Sequence, residues 1–297
     1  MTLPSFLIVG AMKAGTTTLY DDLNSHSQIF MPEVKEPDAL ISDEIYGDSV
    51  RKKYAQLFDD CPLGCISGEA STTYSKLPTY KRVPERAKQV LGDDLRIIYI
   101  VRDPLLRATS HHAYLHRRGY VQQDANHAIA NDRTYIDYSN YAMQLSSWMN
   151  HFPREQVLVI QFERYIANRE EQLSGVCRFL ELDLDEKVAI DSQGSNQTKE
   201  LSPLPPYLRA IRESSLYLRL HAMLPGKGRS KMGWLRKKLS GYDPPPAIPF
   251  DASNVVLIQE ELHDSTCEFI DEWGLDESLW GVFFNREIRP FPNANLD

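Results

Sequence analysis

Cysteine is scarce in this chain, and so are long apolar runs and positive charge. Four cysteines, Cys61, Cys65, Cys177 and Cys267, stand among 297 residues, too few and too scattered for a disulfide framework. Cys61 and Cys65 are close together, but no Cys/His pair nearby completes a zinc site. Free or buried thiols are expected, and no metal. No apolar stretch approaches the roughly 20 residues of a membrane span. Met1 to Ser5 is too short for a signal peptide ahead of the first strand. The simplest expectation is a soluble cytoplasmic protein, although a lumenal domain trimmed of its anchor would read the same way. A net charge of −8 excludes general affinity for nucleic acid, which needs a basic surface. It leaves room for a local cluster of lysine and arginine around a small anion.

One further absence is more informative. The stretch FLIVGAMKAGTTTLYDDL from Phe6 has Gly10 and Gly15 at the separation of the nucleotide loop G-x-x-x-x-G-K-[ST]. The lysine that should follow the second glycine is missing: Thr16 stands there, and Lys13 sits inside the loop. Nucleotide hydrolases use that missing lysine on the β- and γ-phosphates, with a hydroxyl and an acidic residue holding magnesium. No apolar strand of this chain ends in a clear metal-holding aspartate, since Asp103 is flanked by Arg102 and Pro104. The loop fits an anionic phosphate ligand handled without metal.

What is present suits a globular fold. Hydrophobic residues make up 42% of the chain and charged ones 25%, enough for a sizeable core. Phe6–Val9, Leu95–Val101 and Gln156–Phe162 are short apolar runs that read as buried strands, with Cys65–Ser67 a further short one. Helical spacing follows at Thr16–Asn24, at Leu105–Leu115 and near Glu163–Leu182. This alternation predicts an α/β fold: a P-loop-type parallel β-sheet flanked by helices. Ligands of such sheets bind at the carboxyl ends of the strands, which places Lys13, Glu69 and Arg102 on one edge.

After about Asp183 the pattern becomes irregular. Two proline clusters bracket a basic segment, and a final helix is expected over Ser253–Trp273. A single domain over 1–297 is expected, with an α/β core over 1–182 and a mainly helical C-terminal portion over 183–297 on the acceptor side.

The loop carries the chemistry. Backbone N–H groups at a helix N-terminus, with the helix dipole behind them, favour an anion. Glycines permit close backbone approach, and Thr16, Thr17 and Thr18 add hydroxyl donors. Arg102 closes a strand, and Ser110 follows about two helical turns later.

GAMKAGTTTL and IYIVRDPLLRATSHHAYLHRRG resemble the two nucleotide-binding segments of the sulfotransferases that use 3′-phosphoadenosine 5′-phosphosulfate (PAPS). MPEVKEPDAL resembles the Lys-Glu-Pro segment of the heparan-type and related bacterial enzymes, and GEASTTY a segment of the bacterial members. The likeness spans about Phe6 to Leu182. It implies PAPS as co-substrate, bound at its 5′ end by Lys13, Ala14, Gly15, Thr16, Thr17 and Thr18. Its 3′-phosphate would meet Arg102 and Ser110.

The resemblance further implies in-line sulfuryl transfer, with Lys13 at the bridging oxygen and Glu36 as general base. The acceptor would be a hydroxyl, or secondarily an amine, of a saccharide or small metabolite. Where the animal enzymes carry a histidine two residues after that glutamate, this chain has Asp38. Glu69, Asp38 and His111 are rivals for the base, and Glu69, His111 and His112 are candidates for acceptor contact. Glu69 also reads as a loop-capping carboxylate. Lys227, Gly228 and Arg229 resemble the Arg-Lys-Gly clamp of cytosolic members, with a solvated basic loop as the alternative. The other classes open to the sequence are a magnesium-dependent nucleoside kinase or NTPase and a non-catalytic nucleotide- or polyanion-binding module.

Overall fold

The computed structural model describes residues 2–183 and 247–285. Lys227, Gly228 and Arg229 lie outside the described residues, as does much of the expected helical C-terminal portion. Two compact units are distinguished. The first takes in the described parts of Met1–Ala108, Arg133–Ser195 and Val255–Ile288. The second takes in those of Thr109–Asp132 and Asn196–Asn254.

The first unit is built on a five-stranded parallel sheet. Strand β1 (Phe6–Gly10) lies at its centre, with every residue buried. β3 (Ile66–Ala70) and β4 (Arg96–Val101) pair on either side of it, and β2 (Ile29–Phe30) and β5 (Val157–Gln161) complete the order β2-β3-β1-β4-β5. A strand covered on both faces has no polar face to alternate with, which is why these segments read as continuous apolar runs. Alternate residues still divide between two cores. Leu7, Val9, Ile97, Tyr99 and Val101 face Trp148, Phe152, Phe269 and Trp280. Phe6, Ile8, Ile98 and Ile100 face Leu19, Leu23, Tyr165 and Val176.

Register aligns the functional ends of the strands. Leu7 lies opposite Glu69, Gly10 opposite Tyr99, and Val101 opposite Gln161. The expected parallel sheet is therefore present; Lys13 and Arg102 follow the ends of β1 and β4, while Glu69 lies beside Leu7, three residues before the end of β1.

Helix α1 (Thr16–Asn24) follows the loop directly. It is held to the sheet's later half by Asp22, whose carboxylate receives Arg169 through two hydrogen bonds of 2.8 and 2.6 Å, and also receives the Tyr165 hydroxyl. Between β2 and β4 lie α2 (Asp48–Ala55) and α3 (Val83–Leu91). Helix α4 (Pro104–Arg117) begins at the end of β4 in the first unit and continues into the second. After α5 (Ala125–Asn131) come α6 (Thr134–Asp137) and α7 (Tyr141–Met149), which precede β5.

Two expectations change. Strand β3 extends through Glu69 to Ala70, because β1 pairs with Gly68, Glu69 and Ala70, whereas β2 pairs only with Ile66 and Ser67. The helical stretch expected over Glu163–Leu182 is two helices, α8 (Phe162–Ala167) and α9 (Arg169–Phe179). They meet at Asn168, whose backbone leaves the helical region at φ −133° and ψ 54°. The last long helix, α10 (Ala252–Trp273), lies as expected and is followed by the short α11 (Gly281–Phe284).

In the second unit, the Asp124 carboxylate caps α5 by accepting the Asn126 N–H at 2.9 Å. The Ala125 N–H donates to the Ile248 carbonyl at 3.1 Å. Among the described residues no helix is long and apolar enough to cross a membrane.

Candidate active site

The loop between β1 and α1 is fixed from below. Gly10 adopts φ 153° and Gly15 φ 91°, conformations that side-chain-bearing residues rarely adopt. Close packing demands glycine as well: a Cβ at Gly10 would overlap the Ser75 hydroxyl, and one at Gly15 would overlap the Phe162 ring. The Ala11 N–H donates to the Ile100 carbonyl at 2.6 Å, and Ala14 N–H to the Ala11 carbonyl at 3.1 Å. With its underside closed, the loop presents the first-turn amides of α1, which by helix geometry have no acceptors within the helix. Lys13 is partly exposed at φ 69°.

Arg102 follows β4 and meets this loop. Its Nη1 donates to the Lys13 carbonyl at 3.4 Å, and its guanidinium lies 5.2 Å from the centre of the Phe162 ring. Its Nε is buried without a hydrogen-bond partner among the described residues. The Tyr141 hydroxyl grips the backbone on both sides, donating to the Arg102 carbonyl at 2.6 Å and accepting its N–H at 3.4 Å. Asp103 does not neutralise this cation. Its Oδ1 caps α4 by accepting the N–H groups of Leu105 and Leu106, each at 3.0 Å, while Oδ2 accepts the Phe283 N–H at 2.9 Å. Burial pushes the Asp103 carboxyl up to about 7. Glu163 stands beside it, accepting the Asp103 N–H at 2.9 Å and the Trp280 indole N–H at 3.0 Å. Burial raises the Glu163 carboxyl as well.

The Lys-Glu-Pro segment reaches the loop from the opposite side. Lys35 Nζ donates to the Thr17 hydroxyl and stands over the Tyr20 ring, 5.6 Å from its centre. Burial pulls its pKa below the usual lysine range. Lys35 was missed as a site residue; its one signal was its place in the Lys-Glu-Pro triplet. Glu36 is exposed, its N–H donating to the Ala70 carbonyl at 3.0 Å and its Oε1 accepting the Thr72 hydroxyl at 3.3 Å. Asp38 receives the Thr73 hydroxyl on its carboxylate, and its N–H donates to Ser71 Oγ at 3.2 Å. Lys13, Thr17, Lys35 and Glu36 therefore cluster at the ends of β1 and β3.

Glu69 is placed differently. Its side chain is wholly enclosed, receiving the hydroxyls of Tyr54, Ser71 and Tyr74. Burial raises its pKa. Acceptor contact, expected of it above, does not fit these surroundings, because no face of the carboxylate is open. Its donors are all side-chain hydroxyls, so it braces Tyr54, Ser71 and Tyr74 from within the core. Ser110, His111 and His112 lie on the part of α4 that belongs to the second unit. Ser110 is half-buried, His111 and His112 are buried, and a His112 ring nitrogen pairs with the Gln123 carbonyl at 3.0 Å. Phe162 and Tyr141 were missed as site residues, since an aromatic residue at helical spacing reads as core.

The strand-loop-helix cradle, with lysine inside it and arginine beside it, sits at the strand ends of a parallel α/β sheet. The sulfotransferase domain family matches residues 3–201, and the chain belongs to that family. Heparan sulfate glucosamine 3-O-sulfotransferase 3B1 of Homo sapiens is 28% identical over 241 residues, covering 77% of this chain and 56% of that protein. The bifunctional heparan sulfate N-deacetylase/N-sulfotransferase of Drosophila melanogaster is 28% identical over 211 residues, 61% of this chain and 20% of that protein. The chain thus spans about half the length of the human relative. The solved structure of a sulfotransferase from Alicyclobacillus acidocaldarius shares the fold, with a TM-score of 0.65 and 19% identity over 94% of this chain and 99% of that one.

Proposed function

We propose that the protein transfers a sulfuryl group from PAPS to a hydroxyl of a saccharide. The observation that carries this reading is Arg102: a half-buried cation at the loop whose buried Nε has no partner among the described residues, with Asp103 turned to other work. A buried donor without an acceptor calls for a ligand atom or water, and a guanidinium suits a phosphate. PAPS supplies an activated sulfuryl group and a phosphate leaving group. Thr16, Thr17 and Thr18, with the amides of α1, would hold the 5′ end, and Lys13 would neutralise charge growing on the bridging oxygen. Lys35, hydrogen-bonded to the Thr17 hydroxyl, adds a second cation on that side. Arg102, just after β4, and Ser110, on α4, are the residues that the family resemblance assigns to the 3′-phosphate.

Glu36 would accept the acceptor's proton. Its exposed carboxylate and its fixed backbone at the end of β3 favour it over the enclosed Glu69. The saccharide follows from the acceptor named for the human relative, heparan sulfate glucosamine.

Thermal shift with 3′-phosphoadenosine 5′-phosphate (PAP), against ATP plus magnesium, tests the donor. Stabilisation by PAP without metal is expected, and stabilisation by ATP with magnesium alone would point to a kinase or NTPase. Transfer of label from PAPS to a panel of desulfated oligosaccharides tests the reaction. Binding of PAP with no transfer to any acceptor would leave a non-catalytic module.

A further inference from the structure

Arg107 is a fully buried charge for which the activity proposed above has given no use. It lies on the first turn of α4, with its side chain wholly removed from solvent. Nε donates to Ser139 Oγ at 2.6 Å, and Nη2 to the Tyr135 carbonyl at 2.8 Å. Nη1 has no partner among the described residues, and no carboxylate pairs with the group. Its electrostatic neighbours include four phenols, those of Tyr141, Tyr99, Tyr138 and Tyr135, and a second cation, Lys76. Taking a cation out of water without a counter-ion is among the costlier arrangements a fold can contain.

Two of those phenols lead directly to the site. Tyr99 pairs in register with Gly10 and, together with Ser75, fills the space a Cβ at that glycine would need. Tyr141 holds the Arg102 backbone through its hydroxyl, and its ring stands edge-on to Tyr99, with centres 6.0 Å apart. Arg107 is thus within electrostatic reach of the phenol that lies behind the loop and of the phenol that holds Arg102. In a dry interior, its field is screened far less than that of a surface charge.

We propose that Arg107 is a buried electrostatic residue of the donor site, a cation left unpaired within the protein so that its field is balanced by the anionic donor. It does not touch the donor; it acts through space, past Tyr99 and Tyr141. This rests on the donor reading above and assigns that site a further source of positive potential, behind Lys13, Lys35 and Arg102. It predicts an opposition that a purely structural arginine would not show. Removing the charge should relieve the free protein and weaken the complex.

The test compares Arg107→Met and Arg107→Lys in the full chain, with PAP as the probe. For Arg107→Met, the melting temperature without ligand should hold or rise. The PAP dissociation constant should rise roughly tenfold, the scale of one buried charge acting at second-neighbour range. KM for PAPS should rise with it, leaving KM for the acceptor unchanged. Arg107→Lys, which keeps the charge and loses the planar fork, should recover most of the affinity. Wild-type affinity in Arg107→Met would overturn the proposal while leaving the donor site intact. So would affinity lost equally in both variants, in step with lost stability, which would mark a structural role. Failure of the wild-type chain itself to bind PAP would overturn both readings.

Discussion

The Phe162 ring supports the Arg102 guanidinium at 5.2 Å and also closes the underside of Gly15. One side chain, the first residue of α8, thus sets the height of the phosphate loop and the position of the cation beside it. A guanidinium over an aromatic face gains about 0.5–2 kcal/mol. Replacing Phe162 with leucine keeps apolar bulk but removes the face. We expect PAP affinity to fall about tenfold with a small change in melting temperature, measured by calorimetric titration and thermal unfolding. Unchanged affinity would mean that Arg102 is held by Tyr141 alone.

Lys35 and Glu36 are adjacent in sequence yet should give opposite kinetic signatures. Glu36→Gln removes a proton acceptor that is exposed and contacts the Thr72 hydroxyl. Its kcat should fall by roughly 10²–10⁴, the usual worth of a positioned base, with PAP binding as in the wild type. Lys35→Met removes a cation hydrogen-bonded to the Thr17 hydroxyl, so PAP affinity itself should weaken several-fold. Single-turnover transfer and equilibrium PAP binding separate the two. A Glu36→Gln enzyme with normal kcat would move the base elsewhere, Asp38 being the nearest candidate on the same segment.

Glu69 should matter for stability rather than turnover. Three hydroxyls, from Tyr54, Ser71 and Tyr74, converge on its enclosed carboxylate. Glu69→Ala leaves them without their acceptor in a buried setting, at a cost of about 2–4 kcal/mol. Urea unfolding measures that loss. At a temperature where the variant is folded, KM for the acceptor should match the wild type; a selective rise would restore Glu69 to the acceptor site.

Some of this was legible in the sequence, for physical reasons. β1, β4 and β5 are covered on both faces, so each appears as an unbroken apolar run between turn signals. Gly10 and Gly15 announced themselves because backbone conformation and close packing both require glycine there. Arg102 was legible because it closes a strand whose end faces the loop. β2 was not, since two residues carry no periodicity, and neither was α3, whose Pro84 and Gly92 were its boundary signals. Phe162, Tyr141 and Arg107 were invisible as site residues for another reason. Their roles depend on neighbours tens of residues away, and no local pattern distinguishes an aromatic platform from an ordinary core residue. Glu69 illustrates the reverse: a polar residue in a promising motif that burial turns into scaffold.

The carboxyl pair behind Arg102 gives the fold a pH dependence whose sign can be worked out. Burial raises Asp103 from 3.8 to about 7, with the Glu163 charge acting in the same direction. The folded protein therefore retains a proton on Asp103 through a range in which the unfolded chain has lost it. Stability falls with rising pH wherever the folded state binds more protons. The contribution is full below about pH 4 and is lost as the pH rises through about 7. Asp103→Asn should flatten this slope. It should also lower stability overall, because the amide nitrogen that replaces Oδ2 cannot accept the Phe283 N–H. Urea midpoints measured from pH 4 to pH 8 for both proteins give the comparison. Parallel curves for the two would assign the slope to other groups, with Glu163 next to be replaced.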